Sequence, residues 1–374
     1  MIQRTLQSNL SSLLGNHKAL IVMGARQVGK STLLHSLFEN NDNVLWLNGD
    51  DIDVQSLFAQ MTSTRLAAIL EGKSIVVIDE AQRIPNIGLR LKLITDQLPS
   101  VQVIATGSSS FELANKVDES LTGRKRVLRM FPLTFTEMVA HTSLLEEERM
   151  LPHRLVYGYY PEVVTHIGEE RTILKELTES YLYRDILALD SITKSDKLVM
   201  LLKALALQIG SQVSYNELSN LVGIDAKTIE KYIDVLEKSY VIFRLGSFSR
   251  NLRNELKFSR KIYFWDNGVR NAVIGNFAQI EARSDVGALW ENWAIAERLK
   301  RNAYTNSFAQ SYFWRTKQQK EIDYVEEADG ELKAFEFKWN SKQSSTKCPL
   351  TFASAYPNAP FVVIMPENIY DFLK

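Results

Sequence analysis

Gly24-Ala-Arg-Gln-Val-Gly-Lys-Ser-Thr32 decides how this chain is read. It follows the apolar run 19–23 and leads into the apolar stretch 32–38, so its glycines sit at a turn from strand to helix. Its first eight residues fit the pattern G-x-x-x-x-G-K-[ST]. Glycines let backbone N–H groups curl around a phosphate chain, and the helix N-terminus adds a positive dipole. Lys30 has the reach for the β- and γ-phosphates, and Ser31 offers a hydroxyl to Mg2+. A plain glycine turn does not account for a Lys-Ser pair in that register. The expected nucleotide loop is therefore Gly24, Ala25, Arg26, Gln27, Val28, Gly29, Lys30, Ser31 and Thr32.

Downstream, Ser74-Ile-Val-Val-Ile-Asp79-Glu80 reads as a buried strand ending in two acids. Asp79 is expected to hold the Mg2+ that accompanies ATP, and Glu80 to be the base for the attacking water. The run 101–105 leads into Thr106-Gly-Ser-Ser-Ser110 and is expected between those two strands. Thr106 or Ser108 can then sense the γ-phosphate or orient water; the alternative is a serine N-cap. Arg124, Arg126 and Arg184 are candidates for a charge-neutralising arginine, each against the plainer account of a solvated side chain. Asp79-Glu80-Ala81-Gln82 invites comparison with helicases, but nothing after residue 200 supplies the second lobe such enzymes need.

The first part, 1–133, alternates apolar runs with amphipathic segments, which predicts an α/β fold with a parallel P-loop sheet. Its strands are expected at 19–23, 44–48, 74–78, 101–105 and 127–131. Residues 134–208 read as a helical lid or linker. Residues 209–248 read as a winged helix-turn-helix: two short helices around Val222-Gly223-Ile224-Asp225, with Asp225 as N-cap, then a β-prone run. The remainder, 249–374, has a helix at 288–301, strands at 311–315, 321–325 and 332–337, a helix at 350–356 and a strand at 361–365.

Composition sets outer bounds. With 374 residues the chain is long enough for two or three domains. Forty-four basic residues balance 44 acidic ones, so no global attraction to nucleic acid or membrane follows. Cys348 is the single cysteine, which excludes a disulfide framework and suits a cytoplasmic address. No leader pattern and no apolar run of transmembrane length is found.

The chain resembles prokaryotic AAA+-like ATPases in which a P-loop domain is followed by a helical segment, a winged helix and a C-terminal domain of unknown function similar to PD-(D/E)xK nucleases. The resemblance is carried by GARQVGKST at 24–32, IDEAQ at 78–82, TGSSS at 106–110, LTGRKRVLRMFPLTFTE at 121–137 and GYYPEVV at 158–164. YLYRDI at 181–186, KIYFWDNGVRN at 261–271 and GALWENW at 287–293 extend it over nearly the whole chain. It implies a restriction-endonuclease-like α/β fold for 249–374, in which Asp323, Glu336 and Lys338 look like that fold's D…E-x-K signature. Glu336 and Lys338 alternate on one strand and so share a face, and Asp323 lies across the hairpin turning at Asp329-Gly330. Asp323 and Glu336 are the expected ligands of a divalent ion, Lys338 the group that positions water, and Glu291 the fourth polar member usual in similar proteins. The alternative is an exposed charged hairpin.

Lys227, Thr228 and Lys231 share a face of the second helix of the winged module and are expected to meet double-stranded DNA. Between 249 and 261, Arg250, Arg253, Lys257, Arg260 and Lys261 stand against the single acid Glu255, a local electrostatic footprint for nucleic acid. The expected activity is ATP hydrolysis driving a switch or motor on DNA. The alternative is a signalling-type ATPase whose winged helix and inactive nuclease-like domain bind protein partners or a second copy of the chain.

Overall fold

The computed structural model describes residues 1–39, 41–108, 121–180, 194–249, 260–340, 342 and 346–374. The chain divides into two compact units: 1–132 with 238–240, and 133–237 with 241–374. The fold is α/β, and its first unit is built on parallel strands.

In the first unit, among the described residues, strands β1 (Ala19–Met23), β2 (Val44–Asn48), β3 (Ile75–Asp79), β4 (Gln102–Gly107) and β5 (Lys125–Arg129) form one sheet in the order β2-β3-β4-β1-β5. All its pairings are parallel. Every residue of β1 and β4 is buried, which is why these strands read as unbroken apolar runs rather than as alternation. Helices α1 (Thr5–Leu13), α2 (Lys30–Leu37), α3 (Ile52–Ala59), α4 (Ser63–Ile69) and α5 (Ile87–Gln97) belong to the same unit. Phe58, Leu91 and Ile94 pack with Ile21, Val76 and Val103 in one core, each contributing about 1.5–3 kcal/mol through burial.

Three strands start elsewhere than the apolar pattern suggests, β4 by one residue, at Gln102 rather than Val101. β3 runs 75–79 rather than 74–78, and β5 begins at Lys125 rather than Val127. β5 is an edge strand whose Arg126, Val127 and Arg129 are exposed, so its polar start still pairs in register, Lys125 with Ala19. Charge along an exposed edge also discourages pairing with other chains.

The second unit begins with helices α6 (Phe135–His141), α7 (Leu144–Tyr157), α8 (Pro161–Thr165), α9 (Glu170–Leu177) and α10 (Ser195–Leu207). The capping box at α6 is complete: Thr134 Oγ1 accepts from Glu137 N, and Glu137 Oε2 accepts from Thr134 N. Next come strand β6 (Gln212–Val213), α11 (Tyr215–Val222), α12 (Ala226–Lys238), β7 (Ile242–Ser247) and β8 (Arg260–Phe264). Gly223 closes α11 in the left-handed conformation, and Asp225 caps α12 by accepting from Thr228 N and Oγ1.

Helices α13 (Asn267–Ile274) and α14 (Val286–Tyr304) precede strands β9 (Gln310–Arg315), β10 (Glu321–Ala328) and β11 (Glu331–Phe337). Helix α15 (Leu350–Ala355), strand β12 (Phe361–Ile364) and helix α16 (Ile369–Leu373) complete the order. These strands form one sheet, β12-β11-β10-β9-β7-β8-β6. The expected boundary between winged and C-terminal parts, at 248/249, thus falls at a sheet joint. Among the described residues Gly246 pairs with Tyr312 and Ser247 with Phe313, and Phe248 N donates to Phe313 O at 2.7 Å; the segments are too far apart in sequence for local pattern to reveal the joint.

The motif 261–271 has a structural role. Asp266 caps α13 through Val269 N and also accepts from Tyr159 N at 2.7 Å, tying α13 to the end of α7. Asn267 and Asn271 donate to the carbonyls of Leu155 and Val156, and Arg270 to that of Ala206. Helix termini that would otherwise bury unpaired carbonyls are satisfied in this way.

Candidate active site

The strand order brings the carboxyl ends of β1, β3 and β4 to one edge of the first sheet, the place where ligands bind in open α/β sheets. Gly24 follows β1, and a Cβ there would lie 2.0 Å from the Met130 carbonyl oxygen, so no larger residue fits. Gly29 has φ of 95°, open to glycine and strained for other residues, and it starts α2. Between them Arg26 and Gln27 are exposed, while Ala25 and Val28 point inward.

Lys30 is buried, and its ammonium donates to the carbonyls of Gly24 at 3.0 Å and Ala25 at 2.8 Å. Burial lowers its pKa to about 8, with Glu80 and Asp79 pulling the other way. Ser31 Oγ donates to Asp79 Oδ2 at 2.7 Å, which joins the loop to the end of β3. Thr32 is exposed on the first turn of α2.

Thr106, fully buried on β4, donates to Asp79 Oδ1 and accepts from Glu80 N at 3.1 Å. Glu80 adopts a left-handed backbone with φ of 47°. Its Oε2 accepts from Ser108 Oγ at 3.3 Å and from Gln82 Nε2, which also donates to Ser108 Oγ at 3.1 Å. Thr106 and Ser108 are thus divided between the two acids, one each. Ser109 and Ser110 lie outside the described residues.

Three partners of this site escaped the sequence reading. Gln82 lies in the stretch 78–82, where its residue type alone does not mark it as a partner of Glu80 and Ser108. Arg4, buried ahead of α1, donates to the carbonyls of Val28 at 2.7 Å and Phe131 at 2.6 Å. Met130 N donates to Met23 O, holding β5 against the loop's origin. Arg4 is 24 residues from Val28 and 127 from Phe131, so no local periodicity signals it.

Arg124 is not brought to this edge. It precedes β5 beside Ala19, at the far end of β1 from Gly24, and pairs with Asp96 at 2.6 Å. A strand of that length spans about 16 Å, too far for an arginine to meet a phosphate in the same chain. Arg126 is exposed opposite Leu20, and Arg184 lies outside the described residues.

In the second unit the structure brings Glu291, Asp323, Glu336 and Lys338 together. Asp323 and Glu336 lie on adjacent antiparallel strands, one step beyond the Tyr324–Phe335 pair, and β10 shifts register against β9 beside Asp323. Asp323 Oδ2 accepts from Phe337 N at 2.9 Å, and Lys338 Nζ donates to Glu336 Oε1 at 2.7 Å. Desolvation, together with Glu291 and Glu336, pushes the Asp323 carboxyl well above the usual carboxylate range. A cavity of about 400 Å³ opens there, lined by Glu291, Asp323, Phe337, Lys338 and Trp339. Among the described residues, no group of three His, Cys, Asp or Glu side chains is arranged to hold a metal ion.

Lys261 corrects the reading of the basic segment. It is 2% exposed and pairs with Glu291 and Glu321 instead of facing solvent. Burial alone would lower its pKa, but Glu291, Glu321 and Asp323 together raise it. Arg250, Arg253 and Lys257 lie outside the described residues. On α12, Lys227 and Lys231 are exposed, while the Thr228 hydroxyl is taken up by Asp225.

Comparison with known proteins follows this division. Residues 16–139 match an AAA domain, 148–280 a domain of unknown function (DUF8612) and 286–372 another (DUF4143). An uncharacterized protein of Mycobacterium tuberculosis is 26% identical over 338 residues, covering 88% of this chain and 73% of the relative. One of Methanocaldococcus jannaschii is 24% identical over 332 residues, covering 83% and 72%. The Walker-type ATPase of Pyrococcus abyssi shares the fold at a TM-score of 0.52 and 17% identity, over 73% of this chain and 96% of that one. Residues 16–139 are thus similar to AAA-type P-loop ATPases, and the rest of the chain to the DUF8612 and DUF4143 domains in turn.

Proposed function

We propose that this chain binds ATP with Mg2+ in the loop 24–32 and hydrolyses it to ADP and phosphate, the nucleotide state acting as a switch whose output is contact with double-stranded DNA. One observation carries the reading: Ser31 Oγ meets Asp79 Oδ2 at 2.7 Å, with Glu80 next in the chain. A hydroxyl and a carboxylate side by side are the hard oxygen donors that Mg2+ takes, and when bound the ion neutralises phosphate charge.

Lys30 exchanges the carbonyls of Gly24 and Ala25 for β- and γ-phosphate oxygens. Glu80 takes the proton of the attacking water, held for that task by Ser108 and Gln82. Thr106 fixes Asp79 from the neighbouring strand. For the output, β6, α11, α12, β7 and β8 follow the strand, helix, helix, strand, strand order of a winged helix-turn-helix, with Lys227 and Lys231 exposed on its second helix. The cytoplasm is the proposed address; no helix among the described residues is long and apolar enough to cross a membrane.

Lys30→Ala is expected to abolish ATP binding. Glu80→Gln should keep binding and slow turnover by about 10²–10⁴-fold; unchanged turnover in Glu80→Gln sinks its role as base. The withdrawal of Lys261 from the basic surface favours a second reading, a regulatory ATPase whose second unit binds protein. Salt-sensitive binding of double-stranded DNA that weakens in Lys227→Ala/Lys231→Ala supports the DNA reading, and its absence leaves the protein one.

A further inference from the structure

The acidic cluster of the second unit contains a cation that the D…E-x-K pattern does not include. Lys261, on β8, reaches Glu291 Oε1 at 3.1 Å and Glu321 Oε1 at 2.5 Å, with its ammonium 5.5 Å from the centre of the Phe313 ring. Tyr263, on the same face of β8, donates to the same Glu291 oxygen at 2.6 Å. The other acids have partners too. Asp323 Oδ2 takes the Phe337 N–H, Glu336 Oε1 takes Lys338 Nζ, and Glu321 Oε2 faces Arg315 Nη1 at 3.3 Å.

A divalent ion needs carboxylate oxygens turned toward it and a surplus of negative charge to offset its own. Here four carboxylates, Glu291, Glu321, Asp323 and Glu336, already face three cations, Lys261, Lys338 and Arg315. The surplus is a single formal charge. The enclosed Lys261 ammonium also repels a second cation brought into contact with the same carboxylates. The residues present do not fit the metal that the nuclease resemblance implies.

We infer that Lys261 is the built-in counter-ion of this pocket, holding its acids together in place of a divalent metal, so that the Asp323/Glu336/Lys338 set is not a metal-dependent hydrolytic site. The inference concerns the second unit alone and stands apart from the ATPase reading. It also explains why Lys261 is the one described basic residue of 249–261 that is fully buried. Removing its charge leaves a surplus of two negative charges, matched to a divalent ion.

The test is titration of Mn2+ into the full chain without nucleotide, followed by loss of the free-ion electron paramagnetic resonance signal. Wild type is expected to show no site that Asp323→Asn removes. Lys261→Met should gain one such ion, bound about tenfold or more tighter than by wild type, and lose it when Asp323→Asn is added. Stoichiometric, Asp323-dependent Mn2+ binding by wild type overturns the inference. So does a folded Lys261→Met protein that binds no more tightly than wild type. If Lys261→Met is unfolded without metal, Mn2+ should restore its cooperative thermal transition, and failure to restore it also overturns the inference.

Discussion

Lys30 shows how one side chain serves both the folded state and the ligand. Its ammonium rests on two carbonyls of its own loop, and burial lowers its pKa from 10.5 to about 8. Between those values the unfolded chain binds more protons than the folded one, so this lysine makes stability rise with pH across that window and contributes nothing to the slope well below it. Phosphate oxygens favour the charged form and should return its pKa toward the ordinary value. ATP binding at or above pH 8 is therefore expected to take up protons, read as a dependence of the calorimetric enthalpy on buffer ionisation. The uptake should vanish in slightly acidic buffer. Arg4 acts on the same loop from outside it. Each of its bonds to Val28 O and Phe131 O is worth about 1.5–3 kcal/mol, since the donor is charged. Arg4→Ala should weaken ATP affinity while leaving turnover at saturation near wild type; an unchanged Kd contradicts the positioning role.

Among the elements, the pair α7 and α13 depends on Asp266. Its carboxylate caps α13 and receives Tyr159 N–H, and Gly158 and Gly268 leave it room. Losing the cap costs about 0.5–2 kcal/mol, and leaving the Tyr159 N–H without its acceptor about 1–3 kcal/mol. Asp266→Ala should therefore lower the denaturant midpoint of the second unit by an amount worth roughly 2–4 kcal/mol. ATP binding to the first unit should not change. A stability change below about 0.5 kcal/mol would mean the neighbouring helices repack around the loss. The same carboxylate explains why a motif as polar as Trp265-Asp-Asn-Gly-Val-Arg-Asn271 lies in the interior: Asn267, Arg270 and Asn271 are buried, and each hydrogen-bonds to backbone carbonyls of other helices.

For the whole molecule, division into two units predicts two unfolding transitions, because each has its own core. ATP with Mg2+ at a hundredfold excess over its Kd should stabilise only the first-unit transition, by about 2.7 kcal/mol. Differential scanning calorimetry with and without nucleotide checks this. A single transition that shifts as one body argues against independent units.

The loop 24–32, the acid pair 79–80 and the strand expected at 101–105 and found at 102–107 were legible because each is local: a short apolar run followed by a fixed spacing of chemically necessary residues. The helix, hairpin and strand order of 286–364 was legible for the same reason. The strand order β2-β3-β4-β1-β5 was expected only as far as β4 lying between β1 and β3, and the joining of β7 to β9 rests on two residue pairs some 66 positions apart. What tertiary structure alone decided is the company each charge keeps. Arg124 went to the wrong end of its strand to serve the P-loop in the same chain, Arg4 came under the loop, and Lys261 left the basic segment for an acidic interior. A sequence records which groups can bear charge, whereas whether a charge meets solvent, a phosphate or a buried carboxylate depends on neighbours brought in from distant segments.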